Sequence, residues 1–173
     1  MKKYKTIPVL FIILIACVAL HAQTATGTST ASIVASISCT VGDTVLDFGA
    51  MSPDEDNPST LTLTPASPTI ATTGGGPNID VYDIKPKTAA QFNVTGNDNA
   101  TYSVVLPQSI TLANLDIDGF FMTVTNFTSS LTSNSGTLVN GQAAFYVAAT
   151  LNLAAGQPVG RYSGEFDVTV SYD

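Results

Sequence analysis

The sequence has few of the residues that carry out chemistry. It contains no tryptophan, one histidine and two cysteines, and both His21 and Cys17 lie within the first 22 residues. Those residues have the layout of a secretory signal, because a basic start precedes an apolar run from Ile7 to Cys17 that is too short to span a bilayer. We therefore predict that residues 1–22 are a signal peptide and that the exported chain has no histidine.

Two cleavage sites compete in this signal. Leu14 to Cys17 has the pattern of a lipoprotein signal, in which Cys17 would carry a lipid anchor. Leu20 to Ala22, followed by Gln23, fits ordinary cleavage. We favour ordinary cleavage because Val18 to Leu20 is too apolar for a lipoprotein tether, and the lipid anchor stays open as the alternative. Either way the predicted location is the periplasm, the cell surface or the extracellular medium.

The lack of histidine excludes whole classes of active site. A Ser-His-Asp or Cys-His arrangement and a histidine-ligated zinc site cannot form in the exported chain. Asp54 to Asp56 lies between prolines, which favours a solvated run over calcium ligands, and Asp116 to Gly119 lacks the full ligand set of a calcium loop. We predict no enzyme, no catalytic residue, no cofactor and no metal; a hydrolase with paired carboxylates is a remote alternative.

Basic residues are also scarce. After residue 22 the chain keeps Lys85, Lys87 and Arg161 against 13 acidic residues, a net charge of −10. Such a surface repels nucleic acid and anionic lipid. We predict no nucleic-acid partner and no membrane span after the signal.

Cys39 is the single thiol of the exported chain, so no intramolecular disulfide is expected. It lies in phase with Ile33 and Ile37 and is therefore predicted to be buried.

The sequence contains many runs in which apolar and polar residues alternate. In Gly160 to Asp173, Phe166, Val168, Val170 and Tyr172 alternate with polar residues, a period of two that predicts a strand with one buried face. No segment follows with which it could form a hairpin. It must therefore pair with an earlier segment or with another molecule.

Similar runs fill the rest of the chain and are separated by turn signals, without helical periodicity. Many short strands of this kind predict an antiparallel β-sandwich or barrel over residues 31–173, preceded by a flexible segment, residues 23–30. Asn140-Gly141 suits a type I′ hairpin turn, and the three glycines within residues 72–78 predict a loop. The other predicted strands are residues 31–41, 45–49, 61–63, 79–84, 89–94, 101–106, 110–112, 120–127 and 143–153.

Several segments carry a family likeness. The chain resembles a bacterial secreted family known as domain of unknown function 4402, in the segments Ala90–Gly96, Asn99–Val104, Gly141–Leu151 and Ala155–Gly164. Its opening, Ala35–Cys39 with Leu46–Gly49, is similar to the spore coat protein U family. The resemblance implies an immunoglobulin-like, pilin-like β-sandwich related to chaperone–usher fimbrial subunits, whose last strand also alternates and has a penultimate aromatic residue.

The chain departs from those subunits in two ways: it cannot form their disulfide, and only residues 23–30 precede the first apolar residues. Residues 31–41 are therefore either the domain's own first strand or a strand donated to a neighbour. We favour the first arrangement for an isolated chain, with Ile33, Ile37 and Cys39 buried, and expect exchange between molecules in assembly. The predicted strand-complementation residues are Ile33, Ile37, Phe166, Val168, Val170 and Tyr172.

The sequence is compatible with two functions. The first is an exported, non-enzymatic structural or surface subunit that assembles with itself or with other surface subunits. The alternative is a self-contained immunoglobulin-like adhesin, or binding module, for glycan or protein. For Phe120-Phe121 and Phe145-Tyr146, a strand would bury one ring of each pair and expose the other.

Overall fold

The computed structural model describes residues 30–65, 72–75, 79–82 and 85–173, with backbone pairing alone for 72–75 and 79–82. The predicted signal peptide, nearly all of the predicted flexible segment and residues 76–78 of the predicted loop lie outside these residues. Within them the chain forms 13 β-strands and one short 3-10 turn, Thr132–Asn134, and every strand pair is antiparallel. The predicted β-sandwich is confirmed.

The strands follow one another at short spacing, as the turn signals indicate. They are β1 (Ser38–Val41), β2 (Ala50–Pro53), β3 (Ser59–Thr64), β4 (Thr72–Gly75), β5 (Ile79–Tyr82), β6 (Ala90–Thr95), β7 (Thr101–Val105), β8 (Ser109–Asn114), β9 (Phe121–Ser129), β10 (Ser135–Thr137), β11 (Gln142–Leu153), β12 (Tyr162–Ser163) and β13 (Thr169–Tyr172).

The large sheet is organised around β11, its longest strand. The strand order is β1-β6-β11-β9-β8-β12, and β3 and β4 extend the sheet beside the second half of β11. The first half of β11 pairs with β6, placing Phe145 opposite Phe92, and the second half pairs with β3, placing Leu151 opposite Leu61. One strand therefore supplies the floor of two neighbouring cores.

Each core has its own cover. In the closed half, the small sheet β10-β7-β13 packs its apolar side chains onto β6 and the first half of β11. In the open half, the segment leading into and including β2, which pairs with β5, lies over β3, β9 and the second half of β11. The closed-half core comprises Ala90, Phe92, Val94, Tyr102, Val104, Leu138, Phe145 and Val147, and the open-half core comprises Phe48, Leu61, Leu63, Ala89, Val124, Ala148, Ala149, Leu151 and Leu153.

The terminal strand shows the predicted alternation. Phe166, Val168, Val170 and Tyr172 are half-buried against the closed-half core, and the residues between them are exposed. Its ladder is shorter than predicted, because β13 pairs with β7 only over Thr169–Tyr172, and residues 164–168 belong to no ladder.

The first strand is also shorter than predicted. It begins at Ser38 and pairs with β6 of the same chain, placing Cys39 opposite Val94, rather than with the terminal strand. Ile37 and Cys39 pack against the closed-half core. The prediction that Ile33 is buried is wrong: its side chain is 99% exposed, because residues 30–37 belong to no ladder and lie on no sheet.

Two other segments differ from prediction for reasons of backbone geometry. Residues 45–49 make a single bridge, Asp47 to Thr88, and Gly49, at φ +80°, redirects the chain so that regular pairing starts only at β2. Thr72–Gly75 is a strand rather than a loop, since pairing with β3 satisfies its backbone groups and offsets the entropic cost of its glycines.

The Asn140-Gly141 turn has the predicted type I′ geometry. Both residues have positive φ, 54° and 73°, and Val139 and Gln142 pair across the turn. The hairpin ends after that pair, because β10 turns away to pair with β7.

The two aromatic pairs behave differently. Phe145 is fully buried and Tyr146 half-buried, as strand alternation predicts. Phe120 and Phe121 are both exposed, at 43% and 57%, so the prediction of one core ring is wrong there. Phe120 precedes β9 and lies in no strand, and strand alternation therefore does not apply to that pair.

Candidate functional site

A groove of about 600 Å³ crosses the open half of the sandwich. One side, the first wall, is residues 46–53, which include β2; the other side, the second wall, is residues 157–163, which include β12. The floor is made of apolar side chains from β8, β9 and β11, namely Leu112, Met122, Leu151 and Leu153.

The groove exists because the covering layer is interrupted. On the first wall, β2 has β5 as its one strand neighbour among the described strands. Beyond the second wall, residues 164–168 approach β13 without joining a ladder. No described strand lies between the two, so the open half has a gap where the closed half has a continuous three-stranded cover. Strand edges with unpaired backbone groups are sites at which another extended segment can add.

The groove continues into a smaller cavity of about 110 Å³, the inner pocket. It shares Leu46, Phe48, Leu112, Tyr162 and Ser163 with the groove and is lined further by Ile110, Val124, Gly164 and Phe166. Phe166 also packs edge-on against Phe92, with ring centroids 5.9 Å apart. The inner pocket therefore lies where the open half meets the closed half.

Tyr172, in the terminal strand, connects that strand to two other segments of the closed half. Its hydroxyl donates to the carbonyl oxygen of Ala35 at 2.8 Å and accepts from the backbone N–H of Asn97 at 2.6 Å. Gly96 lies directly beneath the hydroxyl, where a Cβ atom would collide with it. The segment before β1 and the terminal strand are thus joined here, whereas the two walls of the groove stand apart.

The polar groups at the second wall are occupied with one another. The buried Gln157 donates from Nε2 to the carbonyl oxygen of Phe121 and to the hydroxyl of Tyr162, and its Oε1 accepts from the N–H of Ala154. The Tyr162 hydroxyl in turn donates to the carbonyl oxygen of Pro158 at 2.8 Å. This network fixes the wall. An apolar floor with a saturated polar side is suited to binding apolar side chains.

Charged residues lie at the rim. Lys85 Nζ lies 2.7 Å from Asp47 Oδ2, and the Arg161 guanidinium donates to Asp116 Oδ1 at 2.9 and 3.3 Å. The hydrogen bonds from Arg161 hold the pKa of Asp116 below its usual range, and Asp116 in turn raises the pKa of Arg161. Both Asp116 and Arg161 are well exposed, which limits what their ion pair contributes to stability.

Elsewhere the described chain offers little reactive chemistry. Burial raises the pKa of the Cys39 thiol, which disfavours the nucleophilic thiolate. Asp54 accepts hydrogen bonds from the N–H groups of Asp56 and Asn57, and these lower its pKa. Within the described residues, no three His, Cys, Asp or Glu side chains are grouped so as to hold a metal ion.

One end of the sandwich carries a cluster of exposed apolar side chains, the apolar tip. The loop between β8 and β9 is fixed by the buried Asn114, whose Oδ1 accepts from the N–H groups of Asp116 and Ile117. The second wall binds the same loop, because Leu115 N–H donates to the carbonyl oxygen of Arg161. The apolar tip comprises Leu115, Ile117, Phe120, Phe121 and Val159, all between 42% and 83% exposed.

The structure brings most of the predicted complementation residues together. Ile37, Phe166, Val168, Val170 and Tyr172 all pack against the closed-half core. Ile33 does not join them. The lining of the groove was not predicted as a set: Met51, Leu112, Met122 and Leu151 come from four separate segments, and each side chain by itself has the pattern of an ordinary core residue.

Comparison with known proteins gives one result. A family model described as a domain of unknown function, DUF4402, matches residues 37–172. Searches among curated proteins and among solved structures find no match. In the part of the chain that the structure describes, there is no helix long and apolar enough to cross a membrane.

Proposed function

The chain belongs to the DUF4402 family of domains of unknown function, and from this membership and the open groove we propose that it is an exported, non-enzymatic structural or surface subunit of pilin-like, immunoglobulin-like character. In this proposal subunits assemble by β-strand complementation, each groove receiving an extended segment of another copy. The observation that carries it is the gap in the cover of the open half, with its apolar floor and with β2 along one wall.

The groove offers both components of strand recognition. An added strand gains affinity from main-chain hydrogen bonds to a sheet edge and specificity from pockets that take alternate side chains. The first wall supplies an edge at β2, residues 164–168 supply backbone groups that no described ladder uses, and the floor supplies apolar contacts.

The donor in this proposal is the leading segment, residues 23–36. The structure describes residues 30–36, which are exposed and belong to no ladder; Ile33 is 99% and Val34 56% exposed. Ile33 and Val34 are adjacent, so in a strand they would face opposite sides. A donated strand would bury one of them.

Three properties of the sequence agree with this role. The predicted signal peptide directs export, the chain from Gln23 has no histidine for nucleophilic catalysis, and its net charge of −10 disfavours nucleic acid as a partner. A structural surface subunit requires export and needs neither catalytic histidine nor a nucleic-acid partner.

The test compares the chain from Gln23 with a variant that lacks residues 23–36. β1 begins at Ser38, so the deletion removes no described ladder. It does remove the Ala35 carbonyl that accepts from the Tyr172 hydroxyl, so stability should fall by about 1 kcal/mol, the contribution of one hydrogen bond. We expect the chain from Gln23 to form oligomers that grow with concentration in light scattering. The deleted variant should stay monomeric and bind a peptide of residues 23–36. Equal oligomerisation of the two proteins would rule out donation by the leading segment.

A second candidate function rests on the apolar tip. An adhesin or binding module would present a fixed apolar and aromatic surface. The loop that carries Phe120 and leads into Phe121 of β9 is held by Asn114 and Arg161. A monomer whose binding to glycans or proteins is lost in Phe120→Ala and Phe121→Ala, and kept in Val139→Ala at another exposed site, would support this function over the first.

A further inference from the structure

The inner pocket has the size and chemistry of a site for one aliphatic side chain, and we propose that it receives the side chain of Ile33 from a second copy of this chain. This inference rests on the proposed function and adds the register of the donated strand. Apart from Ser163 and Gly164, the pocket is lined by apolar and aromatic side chains.

The volume of the inner pocket sets the size of its occupant. An apolar cavity of about 150 Å³ accommodates one benzene molecule. The inner pocket, at about 110 Å³, is smaller and matches a branched side chain of four carbons. The pocket also opens into the groove, with which it shares Leu112 and Tyr162, so a strand lying in the groove can place one side chain into it.

The leading segment offers a single side chain of that kind on the right face. Its only large apolar residues are Ile33 and Val34, and in a strand these two point to opposite faces. The face of Ile33 carries mostly small residues, whereas the face of Val34 otherwise carries only Thr and Ser. The other residues on the face of Ile33 are Gln23, Ala25, Gly27, Ser29, Ala31 and Ala35. Burying the hydroxyl-rich face on an apolar floor would leave polar groups without partners. Ile33 therefore faces the floor.

Charge permits this contact between two acidic molecules. Residues 23–36 contain no charged side chain, while the chain from Gln23 carries a net charge of −10. The donor segment can thus enter the groove without placing a carboxylate against the partner's acidic surface. Small side chains on either side of Ile33 along its face leave the backbone free to approach both walls.

The experiment places a small photo-reactive aliphatic amino acid at position 33 or, as the matched control, at position 34 of the chain from Gln23. Chains carrying the probe are unlabelled and are mixed with ¹⁵N-labelled chains without the probe. After irradiation, mass spectrometry identifies which residue is cross-linked and whether both partners come from one molecule. The expected result is a cross-link from position 33 to Leu112, Tyr162 or Phe166 of a labelled chain, and none of these from position 34.

Each other outcome overturns the inference in a distinguishable way. Oligomers with intermolecular cross-links elsewhere, or from position 34 to these residues, would refute the Ile33 register and leave strand complementation intact. A monomer without cross-links between labelled and unlabelled chains would refute both. Cross-links from position 33 to the pocket of its own chain would show that the segment completes its own domain.

A variant pair gives an independent measure. Ile33→Ala removes the side chain that fills the pocket and should raise the concentration needed for oligomers by about 30-fold or more, as for a large-to-small change in a packed core. Val34→Ala, on the other face, should change it by less than about threefold. Both positions are exposed in the single chain, so neither change should alter the thermal midpoint of the monomer. Equal effects on oligomerisation would overturn the register.

Discussion

The two halves of the sandwich share one floor strand and differ in how they are covered. In the closed half, Tyr102 from the covering sheet and Phe145 from β11 are both essentially inaccessible to solvent. In the open half, Leu61 and Leu151 of the large sheet are equally buried, but Leu112 and Met122 are only half-buried and line the groove. Leu112 and Met122 therefore stay partly exposed because the layer that covers the large sheet is incomplete there.

The two halves therefore differ in how much apolar surface of the large sheet is left for a partner to cover. The closed half is covered on both sides, by the large sheet and by β10-β7-β13. The open half has a formed floor and an incomplete cover, so apolar surface there can still be removed from water, at roughly 25 cal/mol per Å². In the proposed assembly, the stretch of β11 under the closed half contributes to stability and the stretch under the open half contributes to binding.

The largest expected effect contrasts matched leucines from the two halves. Leu138→Ala removes a fully buried side chain of the closed half and should lower the free energy of unfolding by about 3–5 kcal/mol. Leu112→Ala, on the groove floor, should cost about 1–2 kcal/mol because water already reaches part of that side chain. Urea unfolding of both variants measures the difference, and equal losses would mean that the open half is as tightly packed as the closed half.

The next effect concerns the facing of the terminal strand. Val168→Asp places a carboxylate against the closed-half core and should cost about 2–3 kcal/mol. Thr169→Asp, one residue on and exposed, should change stability by less than about 0.5 kcal/mol. Thermal unfolding of the two variants is the measurement. Similar losses in both would show that the facing assignment is wrong.

A smaller effect tests how Tyr172 joins the terminal strand to the segment before β1. Tyr172→Phe removes the hydroxyl that links Ala35 to Asn97 and keeps the ring, so it should cost about 1 kcal/mol. Amide exchange at Asn97 should accelerate, while amides of β9 keep their protection. Unchanged exchange at Asn97 would mean that the hydroxyl does not hold this junction.

The smallest effect is a pH dependence at the apolar tip. The pKa of Asp116 is lowered in the folded chain by Arg161, so this ion pair contributes stability above the usual titration range of aspartate and loses it as the pH falls through the lowered pKa. The protection factors of amides in the loop between β8 and β9, corrected for the intrinsic exchange rate at each pH, should therefore fall in acid. Asp116→Asn should show fast exchange already at neutral pH and no further acid step of this origin.

The sequence predicts local features of this fold well. The alternation of Phe166 to Tyr172 and the Asn140-Gly141 turn are encoded in adjacent residues, because side-chain facing and backbone φ are local properties. The single bridge at Asp47 and the strand at Thr72–Gly75 were not predictable in this way. Both depend on which distant strand is adjacent, since pairing with β3 makes a strand of a glycine-rich segment.

The groove could not be predicted from the sequence for the same reason: it depends on which distant segments are adjacent in the fold. Its floor combines residues from three strands and its walls come from segments about 110 positions apart. A groove forms where no chain segment fills the space between two others. The hydrophobic periodicity of a segment predicts only which of its own side chains face the core. Ile33 illustrates the point: its alternation with Ile37 is real, but the ladder that would bury it ends at Ser38.

The pairing of β13 with β7 also bears on how fast the chain folds. Tyr172 lies opposite Tyr102, about 70 positions away in the chain, and β1 pairs with β6 across more than 50. Loop-closure entropy must be lost before such contacts form, which places domains of this topology among the slow folders, on the order of milliseconds to seconds. The β13–β7 and β1–β6 ladders that complete the closed half are therefore among the contacts that are late to form.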